Sequence, residues 1–423
     1  MIRELRTQAR PKDVAIVGAG PIGLEAALCC AALGHRPVVY ERQEPGANIR
    51  RWGFLELFSP WALNTSALGL ATIEELGLDI PDRKACPGAA EYCRSYLAPL
   101  ASALGNRIRT GCEVVGIARA GLLKTEAIGA EERSEARFRL LLEAKNSARK
   151  TESADVVIDA TGVYRNPASL GDGGLPAPGE EALEDLISYH IPDVLGADRP
   201  LYAGGTTLLA GAGYSAATVL EAFTLLLEED PGTRLIWARR DSREEPLPVI
   251  ENDPLPQRER LSRAANRFCS SPPAGCEVLK GVVTTSLRQE GGKIHIELCD
   301  PQGQDSSTVV VDRIIAMTGY RPDNSYHREL QVHLCYASEG PMKLAAALPG
   351  GDSNGDCLAA EELPGDTLSN PEPGYYIAGH KSYGRRSDFL LQTGIGQVRD
   401  IFRLVEADDS LDLYSELTAD DQP

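Results

Sequence analysis

Two glycine-rich turns of one type divide this 423-residue chain and restrict its fold more than any other feature. The first lies in VAIVGAGPIGLEAALCC, where Gly18, Gly20 and Gly23 form a G-x-G-x-x-G pattern. The second lies in LLAGAGYSAATVLEAF and begins at Gly211. Each turn follows a short apolar stretch and precedes residues with helical spacing. This order predicts a strand–turn–helix unit twice in one chain.

Each glycine of the first turn has a physical task. Gly18 permits the tight turn, Gly20 lets the backbone approach a pyrophosphate, and Gly23 lets the helix pack closely on the strand. The helix N-terminus then offers N–H groups and the positive end of its dipole to phosphate. Glu41 ends the next strand 23 residues after Gly18, where a carboxylate accepts hydrogen bonds from ribose hydroxyls. The first unit is therefore predicted to bind a dinucleotide.

The second turn repeats this pattern with alanine at the third position. Its matching residues are Gly211, Gly213 and Ala216. An alignment of VVYER with LIWARR places Ala238 opposite Glu41, and Arg239 and Arg240 follow. Loss of the acid removes repulsion against a 2′-phosphate, and nearby arginines can pair with one. The second unit is therefore predicted to prefer NADP(H).

Both units continue in the same way. The first continues with EVVGIAR, FRLLLEA and ADVVIDATG, and the second with EVLKGVVTTSLRQ, KIHIELCD and VVVDRIIAMTG. Each set predicts a small antiparallel β meander that returns to a buried strand. The return strands end on the same pair, Thr161-Gly162 and Thr318-Gly319, where the chain turns close to a nucleotide and only small residues fit.

The composition narrows the classes of function. The net charge of −18 repels nucleic acid and anionic lipid, so neither is an expected partner. No apolar run approaches the ~20 residues that span a bilayer, and the N-terminus lacks the apolar centre of a signal peptide, so we expect a cytoplasmic protein. The ten cysteines contain no C-x-x-C, which argues against a redox pair, and no metal site is predicted. We expect a small-molecule substrate, and a homodimer is the commonest assembly.

These motifs resemble those of the two-dinucleotide-binding-domain flavoproteins, which include thioredoxin reductases and flavin-containing monooxygenases. The resemblance covers nearly the full length and includes the C-terminal piece NPEPGYYIAGHKSYGRRSDFLLQTGIGQVRDIF. It implies an α/β fold with two Rossmann-like three-layer domains, each with a β-meander excursion. It also implies an FAD domain at 1–200 and 313–423, with an NADP domain inserted at 201–312. Hydride would then pass from NADPH to FAD.

The resemblance implies cofactor contacts at the glycine turns, the strand ends and their neighbours: Gly18, Gly20, Pro21, Ile22, Gly23, Glu41, Arg42, Trp52, Thr161, Gly162, Gly211, Gly213, Tyr214, Ser215, Ala216, Arg239, Arg240, Thr318, Gly319, Gly379 and His380. The family has Gly-Asp at the last pair, and the Asp holds the ribityl or phosphate region of FAD. Here the pair is Gly379-His380. Either His380 donates to the phosphate or the backbone of this turn binds it. A helix over about 387–404 is expected to point its N-terminus at the flavin.

The missing cysteine pair separates this chain from the disulfide reductases. The stretch RQEPGANIRRWGFLELFSPWALN contains no cysteine and lies where monooxygenases of the family carry a Gly-Gly-x-Trp element and then a polar residue. We therefore predict an NADPH-dependent FAD monooxygenase acting on a small molecule. Trp52 would wall the reaction site, and Asn64 would donate to the activated oxygen. The alternatives are an NAD(P)H:acceptor oxidoreductase without oxygen insertion and a non-catalytic flavin-binding protein.

Overall fold

The computed structural model describes residues 10–79, 82–145, 147–348 and 363–415. The chain divides into two compact units. The first combines Met1–Asn166 with Arg321–Pro423, and the second is Pro167–Tyr320, which interrupts the first along the chain.

The strands of the described residues are numbered in chain order. They are β1 Asp13–Val17, β2 Arg36–Tyr40, β3 Ile108–Arg109, β4 Cys112–Arg119, β5 Phe138–Ala144, β6 Lys150–Ala154, β7 Val156–Asp159, β8 Ile187–Ser188, β9 Thr206–Ala210, β10 Arg234–Arg239, β11 Cys276–Lys280, β12 Val283–Glu290, β13 Lys293–Cys299, β14 Ser306–Val311, β15 Arg313–Ala316 and β16 Tyr375–Ile377.

The α-helices are numbered in the same way. They are α1 Pro21–Ala32, α2 Ala47–Arg51, α3 Trp61–Asn64, α4 Ala67–Glu75, α5 Ala89–Tyr92, α6 Ala98–Leu104, α7 Glu131–Glu135, α8 Arg199–Tyr202, α9 Tyr214–Glu229, α10 Pro256–Ser270, α11 Met342–Ala347 and α12 Leu391–Glu406. A π-helical segment, Cys93–Leu97, joins α5 to α6. Within the described ranges, no helix combines the length and the apolar character that crossing a bilayer requires.

The first unit is built on a five-stranded parallel sheet in the order β16-β7-β1-β2-β3. A separate antiparallel sheet, β4-β5-β6, forms the predicted meander. Helix α1 is buried along almost its full length, as expected for a helix that is apolar all round. Cys29 and Cys30 are core residues within it.

The second unit repeats this plan. Its parallel sheet has the order β11-β10-β9-β15-β8, and its antiparallel meander is β12-β13-β14. Buried residues from the meander, including Ile294 and Ile296, share one core with Leu208 and Ile314 of the sheet. The two predicted α/β units with their meanders are therefore present.

The return from each meander to the parallel sheet passes through one aspartate. The last meander strand and the return strand are separated by a single residue, Asp155 between β6 and β7 and Asp312 between β14 and β15. The Asp155 N–H donates to the Asp13 carbonyl, and Asp155 Oδ2 accepts from the Asp13 N–H, both at 2.8 Å. Asp312 makes the same pair of hydrogen bonds with Thr206, at 2.8 and 2.9 Å. We call these two residues the corner aspartates.

The boundaries of the second unit differ from the predicted range of 201–312. Strand β8 pairs in parallel with β15 and so extends the second sheet. The N–H of Ala168 donates to the carbonyl of Gly319 at 2.9 Å, which fastens the end of the β15 segment to the start of this unit. Residues on both sides of the predicted range thus make their contacts inside the second unit, which begins at Pro167 and ends at Tyr320.

A buried carboxylate fixes the C-terminal segment to the meander of the first unit. Glu372 is 1% exposed and pairs with Arg119 Nε at 2.6 Å and with Arg133 Nη2 at 2.7 Å. The Arg119 guanidinium also lies 3.7 Å above the Phe138 ring. Removal of the carboxylate leaves two arginines buried without their counter-ion.

We expect Glu372→Ala to lower the free energy of unfolding by about 3–5 kcal/mol, because it strands buried charge. Urea denaturation followed by circular dichroism measures the change. The matched control is Glu143→Ala, because Glu143 pairs with Arg149 at 3.2 Å on the surface and exposed pairs contribute about 0–1 kcal/mol. An equal decrease in the free energy of unfolding for the two variants would show that the buried cluster stabilises the fold no more than a surface ion pair.

Candidate functional site

The first glycine turn forms a close-packed cradle at the carboxyl end of β1. Gly18 has a φ of +99°, and a Cβ on Gly23 would lie 1.9 Å from the Gly18 carbonyl oxygen. A Cβ on Gly20, in contrast, would meet no protein atom within 4 Å. Pro21 and Ile22 begin α1 directly after it. Gly18 and Gly23 are thus required for packing, while Gly20 faces open space at a helix N-terminus, as a phosphate site requires.

Glu41 lies beside this cradle. Its Oε2 accepts from the Ala19 N–H and its Oε1 from the Gln43 N–H, both at 2.8 Å. Each oxygen keeps further acceptor capacity, so the carboxylate is held in place and can still accept from a ribose hydroxyl. Arg42 reaches Glu113 at 2.8 Å on the surface, and its predicted cofactor contact stays a prediction.

The second turn has the same geometry with a slightly wider helix contact. Gly211 has a φ of +123°, and its Cβ would lie 2.2 Å from the Met317 carbonyl oxygen. Gly213 has open space where its Cβ would be, and Tyr214 and Ser215 begin α9 after it. Ala216 is fully buried, so a methyl fits where the first turn accepts only glycine. The donor set of both turns suits a dinucleotide pyrophosphate.

The strand register corrects the alignment after the second turn by one residue. Val17 is paired with Tyr40 in the first sheet, and Ala210 with Ala238 in the second. Gly18 and Gly211, which follow, donate to the carbonyls of Tyr40 and Ala238 at 2.9 and 3.2 Å. Ala238 therefore corresponds to Tyr40. The residue opposite Glu41 is Arg239, so an acid is replaced directly by a base.

The two predicted arginines differ in exposure. The Arg239 side chain is fully buried; its Nη2 donates to the Arg243 carbonyl at 2.8 Å and lies 3.3 Å from Cys269 Sγ. Its guanidinium also packs 4.9 Å from the Trp237 ring. Arg240 is exposed. Arg239 therefore supports the turn, and Arg240 is the one available to a ligand.

The two Thr-Gly pairs follow strands β7 and β15. Both glycines have a positive φ, +67° at Gly162 and +95° at Gly319. The Thr161 hydroxyl donates to Asp159 Oδ1 at 2.8 Å. The Thr318 hydroxyl donates to the Ala168 carbonyl at 2.7 Å. Each threonine thus fixes its turn from the protein side, and the glycine side is open.

The C-terminal piece brings a further turn to the same cradle. Gly379 has a φ of +72°, and its Cβ would lie 3.3 Å from Ile22 at the start of α1. Its N–H donates to Gln397 Oε1 of α12 at 2.8 Å. Helix α12 begins at Leu391, later than the predicted start near 387, because Leu390 is extended and Arg386 pairs with Asp388 before it.

His380 lies on the protein side of this turn. Its ring stacks on Phe389 at 5.5 Å, and its Nε2 is 2.9 Å from the Arg386 carbonyl, so that nitrogen carries the proton. Burial lowers the pKa of His380, which favours the neutral ring. Of the two predicted modes at this turn, the geometry favours binding by the backbone, because the Nε2 proton of His380 already has an acceptor.

The segment after Glu41 contains two buried polar atoms without a protein partner, Asn48 Oδ1 and Trp52 Nε1. The Trp52 ring lies 6.4 Å from that of Tyr164, close to the Thr161-Gly162 turn in sequence. Asn64 is 1% exposed and exchanges two hydrogen bonds of 2.7 Å with Ser59. Its side chain therefore closes the turn at the start of α3, and its catalytic role stays a prediction.

Sequence reasoning missed a buried ion pair at this end of the sheet. Lys381 Nζ lies 2.7 Å from Asp159 Oδ2, and both side chains are fully buried. The sequence signal that could have indicated this pair is Asp159, a charged residue inside the apolar run VVIDATG. Asn48 was missed too, since its sequence context carries no such signal.

Comparison with solved structures shows the fold. A bacillithiol disulfide reductase from Bacillus cereus has a TM-score of 0.66 at 17% identity, over 95% of this chain and 100% of that chain. An ornithine N-hydroxylase from Kutzneria sp. 744 has a TM-score of 0.61 at 15% identity, over 95% and 100%. A Lactococcus lactis thioredoxin reductase has a TM-score of 0.57 at 16% identity, over 94% and 99%. The predicted fold of two Rossmann-like domains is confirmed.

Comparison by sequence finds similarity over a smaller part of the chain. A multifunctional alkene reductase/demethylase OYE from Caballeronia cordobensis is 30% identical over 167 residues, which are 38% of this chain. The match spans only 21% of the length of that relative. No protein-family model matches the chain.

Proposed function

We propose that this chain is an FAD-dependent oxidoreductase driven by NADPH, and more specifically a monooxygenase acting on a small molecule. One observation carries the proposal: two separate glycine turns each present an open glycine at a helix N-terminus. Glu41 of the first unit has Arg239 as its counterpart in the second unit, and the exposed Arg240 follows Arg239. Two sites of like geometry and opposite charge suit two different dinucleotides.

FAD, when bound, supplies the redox chemistry by accepting hydride from NADPH and passing electrons onward. The protein positions it. The backbone at Gly20 admits the pyrophosphate, and Glu41 accepts from the adenosine ribose. The N-terminus of α12 is assigned to the flavin pyrimidine, where its dipole stabilises negative charge.

The second unit is assigned to NADPH. Gly213 admits the pyrophosphate at the N-terminus of α9. Arg240 pairs with the 2′-phosphate, a charge-assisted contact that NADH cannot make. Arg239 holds the turn on which Arg240 stands, through the Arg243 carbonyl.

Oxygen insertion is favoured over disulfide reduction by the cysteines. The sequence has no C-x-x-C, and the stretch 42–64 after Glu41 contains no cysteine. The Kutzneria hydroxylase, a structure with reduced FAD, NADP+ and L-ornithine, has the same fold. The reductase alternative has support in the TM-score of 0.66 to the bacillithiol disulfide reductase. A non-catalytic flavin-binding role is the third alternative, and reduction of the bound FAD by NADPH would exclude it.

We expect Gly20→Val to give a colourless protein and Gly213→Val to give a yellow protein that NADPH does not bleach. In each case a Cβ at the glycine would meet no protein atom within 4 Å, so the added side chain extends into the space assigned to a pyrophosphate. The flavin absorbance, recorded before and after anaerobic addition of NADPH, measures both effects. Wild-type protein should be yellow before the addition and bleached after it. Wild-type protein that binds no FAD, or is yellow but never reduced, would contradict the proposed oxidoreductase.

We expect Arg240→Ala to lower kcat/KM for NADPH by about 10–100-fold, since a charge-assisted contact contributes roughly 1.5–3 kcal/mol. The value for NADH should stay unchanged. Steady-state oxidation of both coenzymes checks the split. Arg288→Ala is the control, because Arg288 is an exposed arginine of the second unit that pairs with Glu297. A parallel loss with both coenzymes would refute the 2′-phosphate role.

We expect Asn64→Ala to increase hydrogen peroxide release per NADPH oxidised in air by about tenfold, as loss of a donor at an activated oxygen removes some 1–2 kcal/mol. Ser59→Ala is the matched control because it removes one of the two hydrogen bonds of the same turn and leaves the amide at position 64. Peroxide is quantified alongside NADPH absorbance. The same peroxide yield from both variants would mean that Asn64 only shapes the turn.

A further inference from the structure

Lys381 is buried beside the turn from which the expected carboxylate is missing. Its ammonium group has three hydrogens and three acceptors: Asp159 Oδ2 at 2.7 Å, the Asp323 carbonyl at 2.6 Å and the Tyr326 hydroxyl at 2.5 Å. The side chain is fully buried. A lysine in this setting is held in one position and offers no free hydrogen to a ligand.

Asp159 joins this lysine to the Thr161-Gly162 turn. Its Oδ2 also accepts from the Tyr326 and Tyr375 hydroxyls, at 2.6 and 2.9 Å. Its Oδ1 accepts from the Thr161 hydroxyl at 2.8 Å and from the Thr161 N–H at 3.2 Å. Burial alone would raise the pKa of Asp159, but the Lys381 ammonium overcomes this and lowers it to about 2.

A third segment closes the cluster. Asp323 and Tyr326 belong to the chain that follows the second unit, and His327 is 3% exposed next to them. Burial, together with the Lys381 charge, lowers the pKa of His327 to about 4, so this ring is neutral. The buried pair therefore joins three chain segments with one positive and one negative charge.

The turn that carries Lys381 also contacts the first glycine cradle. Gly379 lies two residues earlier and packs on Ile22, and the Ser382 hydroxyl donates to the Gly379 carbonyl at 2.8 Å. A shift of Lys381 would therefore move the turn at 379–383 relative to the start of α1. This turn is the one at which the related flavoproteins are expected to supply a carboxylate to FAD.

We propose that Asp159 and Lys381 are a positioning pair for FAD, which holds the turns at 161–162 and 379–383 in the binding geometry in place of a carboxylate contact. This inference rests on the proposed function for the identity of the ligand. The pair acts through the backbone of the two turns and does not touch the cofactor. It explains how the chain can present histidine where the family presents aspartate.

The test measures FAD affinity of the apoprotein by quenching of flavin fluorescence, with thermal unfolding measured in parallel. Lys381→Met should weaken FAD binding by about tenfold or more at a temperature where the apoprotein stays folded. The control is Arg119→Met, which breaks another buried ion pair of the first unit. That variant should lose stability and keep its FAD affinity within about threefold. Lys381→Met with FAD affinity within that margin would overturn the proposal.

If Lys381→Met does not fold, the double variant Asp159→Asn/Lys381→Met decides, because it leaves no buried charge unpaired. About tenfold weaker FAD binding by the folded double variant supports the positioning role, and wild-type affinity overturns it. Failure of wild-type protein to bind FAD would instead reject the proposed function. The positioning role and the proposed function would therefore be rejected by different observations.

Discussion

The contact between Gly18 and Gly23 determines where the first binding site lies. A methyl on Gly23 would overlap the Gly18 carbonyl, so α1 begins as close to β1 as a backbone permits. That approach places the helix N-terminus directly at the carboxyl end of the strand, where Gly20 faces open space. Ile22, fixed by the same contact, then supports the Gly379 turn. The position of the C-terminal piece therefore depends on two glycines near the start of the chain.

Features that depend on local sequence were predicted well. Both glycine turns, both Thr-Gly ends and both meanders are present, because each is encoded by neighbouring residues. The strand register after the second turn was wrong by one residue, since apolar letters alone do not show where pairing with β9 ends. The buried pair of Asp159 and Lys381 escaped prediction for a related reason. These residues are 222 positions apart, and only the fold brings them together.

Burial and ion pairing decide which basic side chains are available to a ligand. HKSYGRR concentrates positive groups in an acidic chain, and a binding patch for an anion is a natural interpretation. In the structure, Lys381 pairs with Asp159, Arg385 with Glu339, and Arg386 with Asp388. Arg239 likewise turns inward and leaves Arg240 exposed. Charges that sequence presents as available to a ligand are largely used to hold the turns that a ligand would meet.

The corner aspartates lie at the amino-terminal edge of each parallel sheet, since each bonds to the first residue of the strand that leads to the glycine turn, β1 or β9. The glycine turns lie at the opposite edge. Within each unit, the residues that hold the sheet together are thus separated in space from the residues at the glycine turn. The edge with the glycine turns can therefore differ between the units while the framework stays the same, and Glu41 and Arg239 are such a difference. The same separation makes the residues after β2 and β10 suitable for redesigning coenzyme choice without rebuilding the sheet.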